Sequence, residues 1–149
     1  MDKMSSVRPT SPTWRLGGEN SAGPKFEAKL LEAIRDRVAH IGWEPENLDF
    51  AQLGQPDLVL RGPGGGLALL ELVLGRGDLY FTSIAQIDTL AGVLSHGRDE
   101  LEVRPFIVTT RNVPQAVQNA ATEIGVRLVV DSDATHLADR IVDLLRAPA

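Results

Sequence analysis

Two acids stand out for the company they keep. Glu71 sits inside the run Leu67-Ala68-Leu69-Leu70-Glu71-Leu72-Val73-Leu74, and Asp57 opens the shorter run Asp57-Leu58-Val59-Leu60, with thirteen residues between the two acids. Both runs are short and apolar. Arg61-Gly62-Pro63-Gly64-Gly65-Gly66 between them can continue neither a helix nor a strand, so the pair reads as two β-strands joined by a glycine-rich turn. Along a strand, residues two apart share a face, which puts Leu69, Glu71 and Val73 on one side and Ala68, Leu70, Leu72 and Leu74 on the other. A carboxylate in a strand covered on both faces is costly unless it is paired, protonated or bound to a metal. Asp57, at the start of the neighbouring strand, is its natural companion.

The rest of the chain must position these two groups. Its 149 residues, 43% of them hydrophobic, suffice for one globular domain with a single core. No stretch approaches the roughly 20 unbroken apolar residues of a membrane helix. The N-terminus shows no apolar signal-peptide segment, so the expected location is the cytoplasm and no membrane partner is expected. The absence of cysteine excludes a disulfide framework, a thiol nucleophile and thiolate-bound zinc. A net charge of −5 argues against holding nucleic acid by bulk electrostatics, while leaving room for a local basic rim around an acidic site.

Residues 1–23 are rich in Ser, Pro, Thr and Gly and read as a flexible arm, with residues 24–149 as the folded domain. Pro24 suits the first turn of a helix in which Phe26, Leu30, Leu31, Ile34, Val38 and Ile41 recur at helical spacing before Gly42 ends it. Leu48, Phe50 and Leu53 alternate with polar residues and suggest a first strand ahead of the hairpin. After the loop Gly75-Arg76-Gly77-Asp78, Thr82 or Ser83 can cap a second helix with Ile84, Ile87, Leu90, Ala91 and Leu94 inward. Pro105–Thr109 reads as a buried strand. Asn112 as cap and Pro114 as first residue open a third helix, which Gly125 stops before a strand over 126–130. A last helix starts after Asp133 and buries Leu137, Ile141, Leu144 and Leu145. The fold class is therefore α/β and layered: a mixed central sheet whose first three strands form an antiparallel meander, followed by parallel strands and flanked by helices.

Several chemistries are excluded. The glycine run leads into a strand and not a helix, so it forms neither a phosphate-cradling loop nor a dinucleotide fingerprint. No serine stands in a Gly-x-Ser-x-Gly elbow, and His40, His96 and His136 are scattered without ligand spacing. What remains is Glu27 on the first helix, Pro56-Asp57, Glu71-Leu72-Val73, and Gln86 on the second helix. In that order and on those elements, the chain resembles the PD-(D/E)xK nuclease superfamily and, within it, the Mrr-type restriction endonuclease-like domains. Lys25-Phe26-Glu27, the segment Pro105-Phe106-Ile107-Val108-Thr109-Thr110 and Val126-Arg127-Leu128-Val129 are also similar to the Mrr-type pattern.

The resemblance implies a restriction endonuclease-like domain acting on DNA by metal-dependent phosphodiester hydrolysis. It implies Asp57, Glu71 and the backbone carbonyl of Leu72 as oxygen ligands of Mg²⁺ or Mn²⁺, Glu27 as an outer-shell or second-metal carboxylate, and Gln86 as a group that positions the strand or the water. The family's lysine, two residues after the second acid, is Val73 here. Valine holds no proton and no phosphate oxygen. Arg76, just after the strand, can clamp a phosphate but is a poor base. Lys25 and Lys29 are further candidates, although Lys29 lies about 200° around the helix from Glu27. The rival reading is a pseudonuclease that kept the fold as a nucleic-acid-binding or protein-interaction module, with an apolar patch at Val73 offered to a partner or to a second copy. In a third reading Glu71 is a structural acid paired with Arg61 or Arg76, Asp57 caps a turn, and Gln86 is an ordinary solvent-facing residue.

Overall fold

Seven consecutive residues, Leu67–Val73, are buried, and the whole architecture follows from covering them. A strand buried on both faces must be central and must carry helices on each side. The computed structural model describes residues 23–74 and 80–147. It contains α1 (Gly23–Ala39), β1 (Glu44–Pro45), a 3₁₀ turn (Ala51–Leu53), β2 (Leu58–Arg61), β3 (Leu67–Val73), α2 (Tyr80–Ser95), β4 (Val103–Thr109), α3 (Gln115–Ile124), β5 (Arg127–Val130) and α4 (Ala134–Arg146). The arm before residue 23 and the loop holding Arg76 lie outside the described residues.

The five strands stand in the order β1-β2-β3-β4-β5. The pairs β1–β2 and β2–β3 are antiparallel, whereas β3–β4 and β4–β5 are parallel. On one face, Leu58, Leu60, Ala68, Leu70, Leu72, Phe106, Val108 and Val129 pack under α1 and α4. On the other, Val59, Leu67, Leu69, Val73 and Ile107 pack under α2 and α3. The alternation expected along β3 is therefore the one observed, with Glu71 on the α2 side.

The hairpin turn needs glycine at two places. Gly65 has φ +92°, a left-handed conformation that side chains rarely tolerate. A Cβ on Gly62 would lie 2.7 Å from the Trp43 ring, so the ring packs where a side chain would stand. That contact, with Pro63 against Gly42, fixes the C-terminal end of α1 to the turn. At the same end Arg104 donates from Nη1 to the carbonyls of Leu144, Leu145 and Ala147, satisfying the open C-terminus of α4.

Three local expectations are corrected. The segment Leu48–Leu53 is not a strand: the edge strand is Glu44–Pro45, and Leu48 and Phe50 pack inward from a loop that turns at Ala51, φ +55°. Gln55 holds this loop by accepting from Phe50 N and donating to Leu48 O, a side-chain substitute for ladder bonds that apolar alternation does not reveal. Helix α2 starts at Tyr80, so Ser83 is an enclosed residue of its first turn and neither it nor Thr82 is the cap. Pro114, and not Asn112, takes the cap position of α3, without a side-chain cap bond. Asp133 does cap α4, accepting from His136 N at 3.0 Å. Gly125 does end α3, in the left-handed conformation.

Candidate functional site

The parallel strands β3, β4 and β5 all run the same way, so their C-terminal ends collect at one end of the sheet, opposite the Gly62–Gly66 turn. In open α/β sheets that end is where ligands bind. One step beyond the Leu58–Leu70 pair of the β2–β3 ladder, Asp57 comes opposite Glu71. The two acids are cross-tied: Glu71 Oε1 accepts from Asp57 N at 3.2 Å, and Asp57 Oδ2 accepts from Leu72 N at 2.7 Å. Each carboxylate thus continues the ladder where its backbone bonds run out. Within a strand the N–H and C=O of one residue point to the same edge, so the Leu72 carbonyl is directed to the side where Asp57 lies. Asp57 is half-buried and Glu71 is 0% exposed.

The pairing of Glu71 with Arg61 considered from sequence is not formed. Arg61 stands at the far end of the hairpin opposite Leu67 and makes an ion pair with Glu46 at 3.0 Å. Asp57 bonds across to β3. Gln86 is half-buried, and its amide donates to the carbonyl of Leu53, tying α2 to the loop that leads into Pro56-Asp57. Glu27 is half-buried in α1, which covers the opposite face of the sheet from Glu71. The other end of α1 is fixed at the hairpin turn, and its 17 residues span about 25 Å, so Glu27 is carried toward the Asp57 end. Lys29 is exposed. Arg76 lies outside the described residues.

Val73 is 6% exposed and belongs to the cluster that includes Tyr80 and Ile84. The apolar patch expected at this position is therefore internal packing and not a surface for a partner. Beside it, in register on β4, stands Thr109. Its Oγ1 is 2.9 Å from the hydroxyl of Tyr80 and accepts from Arg111 N at 3.4 Å.

Among the described residues the buried polar or charged side chains are Glu71, Ser83 and Thr109. Glu71 and Thr109 belong to the C-terminal halves of neighbouring strands, and Ser83 to the first turn of the helix that follows β3. The Ser83 hydroxyl is enclosed and makes no hydrogen bond among these residues. Sequence reasoning missed Tyr80, Ser83, Thr109 and Arg111 as members of this group. The available signal was a threonine closing an otherwise apolar parallel strand.

The donor set can be tested against the metal that the resemblance implies. Two carboxylates on adjacent strands and one carbonyl are hard oxygen donors, which suit Mg²⁺ with water and substrate phosphate completing its shell. No group of three or more His, Cys, Asp or Glu able to hold a metal occurs among the described residues, so such an ion would rest on Asp57, Glu71 and the Leu72 carbonyl.

Comparison with known proteins locates the fold. No protein family and no curated protein matches the sequence. Solved structures do match. The chain superposes with a TM-score of 0.53 on the structure of an EndoMS–dsDNA complex, at 16% identity over 89% of this chain and 49% of that one. It superposes with a TM-score of 0.51 on a repair endonuclease from Pyrococcus abyssi, at 18% identity over 68% of this chain and 45% of that one. The chain thus spans about half the length of the structures it matches. The mixed sheet with its flanking helices, built around the Asp57–Glu71 pair, has the restriction endonuclease-like fold.

Proposed function

We propose that this chain is a DNA-directed, metal-dependent phosphodiesterase domain of the Mrr type with an altered catalytic motif. The observation that carries the reading is the cross-tied pair Asp57–Glu71, set opposite each other at the C-terminal end of β3 in a fold shared with an EndoMS–dsDNA complex and a repair endonuclease. Asp57, Glu71 and the Leu72 carbonyl would hold Mg²⁺ or Mn²⁺, which when bound polarises a phosphate and lowers the pKa of a water. The backbone bonds to Asp57 Oδ2 and Glu71 Oε1 fix the rotamers of both acids in advance, so little ordering is left for substrate binding to supply. Glu27 serves as an outer carboxylate. Gln86 acts through the Leu53 carbonyl by holding the segment before Asp57, and Arg76 would meet a phosphate.

Nicking of supercoiled plasmid with Mg²⁺, Mn²⁺ or EDTA, in wild type beside Asp57→Asn and Glu71→Gln, tests the proposal. Metal-dependent nicking lost in both variants supports it; nicking equal to wild type in both overturns it.

One observation favours a second reading. Val73 is packed inside the core under α2, so the ammonium group of the motif is absent and nothing at that position replaces it. In this reading the domain binds DNA without cutting it, alone or with a protein partner or second copy. Wild type that never nicks, yet binds duplex equally with and without EDTA, establishes it.

A further inference from the structure

The loss of the motif lysine leaves a specific deficit: a positive charge beside the two acids to receive a phosphate. The C-terminal end of β4 carries one. Thr109 is the register partner of Val73, and Arg111 follows two residues later at the bend where β4 ends. Arg111 is exposed and makes no ion pair among the described residues. Four other arginines are committed. Arg37 pairs with Asp139, Arg61 with Glu46 and Arg104 with Glu102, while Arg140 donates to the Val130 carbonyl.

The bend that presents Arg111 is held from inside the protein. Thr109 is 0% exposed and Tyr80 is 1% exposed, and their hydroxyls bond to each other at 2.9 Å. The same Thr109 oxygen accepts from the backbone N–H of Arg111, and the Thr109 carbonyl accepts from Asp131 N at 3.2 Å. A buried polar pair contributes little net stability over an apolar one, so its consequence here is geometric: it sets the direction of the chain leaving β4. The enclosed Ser83 hydroxyl adds a further polar group to the first turn of α2, beside Tyr80.

We infer that Arg111 binds a backbone phosphate of DNA at the C-terminal ends of β3 and β4, supplying from the neighbouring strand the charge that Val73 does not, with Tyr80 and Thr109 as its positioning residues. Guanidinium presents a planar fork that matches two phosphate oxygens and stays protonated at all working pH values. It can neutralise charge but not take up a proton. This inference rests on the DNA-directed reading of the Asp57–Glu71 site.

The test is binding of the full chain to a fluorescent DNA duplex, by anisotropy across a salt series in EDTA, for wild type, Arg111→Gln, Arg111→Lys and Tyr80→Phe, with plasmid nicking measured in parallel. Loss of one phosphate contact lowers the slope of log affinity against log salt by about 0.9. Arg111→Gln is expected to show that drop, Arg111→Lys to keep the wild-type slope, and Tyr80→Phe to bind more weakly with the wild-type slope at a temperature where it is fully folded. If the domain nicks, Arg111→Gln is expected to lose on the order of 10²–10³-fold in rate. Arg111→Gln with the affinity and slope of wild type overturns the role of Arg111 while leaving the Asp57–Glu71 site intact. Wild type that neither binds nor nicks DNA overturns the DNA-directed reading itself, and the phosphate site with it.

Discussion

The two ends of β3 are built on opposite rules. At the Leu67 end polar side chains find partners of their own kind: Arg61 meets Glu46, Arg104 meets Glu102 and the last carbonyls of α4, and the Trp43 ring closes over Gly62. At the Val73 end Glu71, Thr109 and Ser83 are enclosed, Glu71 accepts from Asp57 N and Asp57 from Leu72 N, and Arg111 makes no ion pair among the described residues. On the proposed function the Val73 end carries the chemistry, whereas the pairs around the turn carry stability. The difference predicts that substitutions at the two ends separate activity from folding.

The largest expected effect is at the Val73 end. Glu71→Gln keeps an oxygen to accept from Asp57 N and removes the charge, so nicking falls on the order of 10²–10³-fold or more while the fold survives. Thermal melting followed by circular dichroism is expected to shift by only about 3 °C or less, because the amide is near-isosteric and keeps the accepting oxygen. Loss of the folded signal together with activity would show that Glu71 serves the sheet and not the reaction.

At the Leu67 end the pattern inverts. Arg104→Ala leaves the Leu144, Leu145 and Ala147 carbonyls without their charged donor and uncovers Trp43, whose ring centroid lies 5.9 Å from the guanidinium carbon. Bonds to a charged donor are worth about 2–3 kcal/mol, so urea unfolding should show a loss of that size with nicking unchanged at temperatures where the variant is folded. Gly62→Ala follows at about 1–3 kcal/mol, because its Cβ would meet the Trp43 ring at 2.7 Å and the ring must leave its place. The Trp43 contribution to fluorescence reports that displacement directly, and an unshifted spectrum would contradict the contact.

How far the sequence discloses this contrast depends on which force shapes each part. Elements set by burial were legible: the alternation of β3, the hairpin with its glycines, and the inward faces of α1, α2 and α4 all follow from apolar periodicity. So was the placing of Asp57 opposite Glu71, because the hairpin pattern sets the start of the first strand, with Asp57, beside the end of the second, with Glu71. Elements set by side-chain-to-backbone bonds were not legible. Gln55 and Gln86 shape the loop before Asp57 through carbonyls and amides that carry no pattern in sequence, and the stretch Leu48–Leu53 therefore imitated a strand. Arg111 escaped notice for a related reason. Its closeness to the site depends on the parallel register of Thr109 with Val73, a relation across 36 residues of chain that only the folded ladder displays.

The smallest effect separates the two ends by acid titration. Arg61 donates to Glu46 and holds its carboxyl below the ordinary glutamate value, chiefly through that hydrogen bond and further through its charge, against an opposing contribution from burial. Asp131, beside Thr109 at the strand ends, is also held low, chiefly by the backbone N–H of Asp133 and then by His136 and Arg140, again with burial opposing. For a carboxyl lowered by folding, stabilisation is fully present above its unfolded value and is lost as pH falls through the folded one. Stability of the wild type is therefore expected to fall as pH drops below the ordinary carboxylate range, and Glu46→Gln to flatten part of that fall without changing the stability slope near neutral pH. Arg61→Gln should flatten it in part, since the charge on the donor is gone, and added salt should weaken the charge component of the wild-type effect. Asp131 should behave differently. Its main partner is a backbone donor, so His136→Gln is expected to leave most of its acid dependence in place, and only Asp131→Asn to remove it. Urea midpoints measured from pH 3 to pH 7 for the four variants decide the matter: identical acid limbs for His136→Gln and Asp131→Asn would mean that the strand ends, like the turn, are governed by side-chain charge pairs, and the contrast between the two ends of β3 would not extend to its rim.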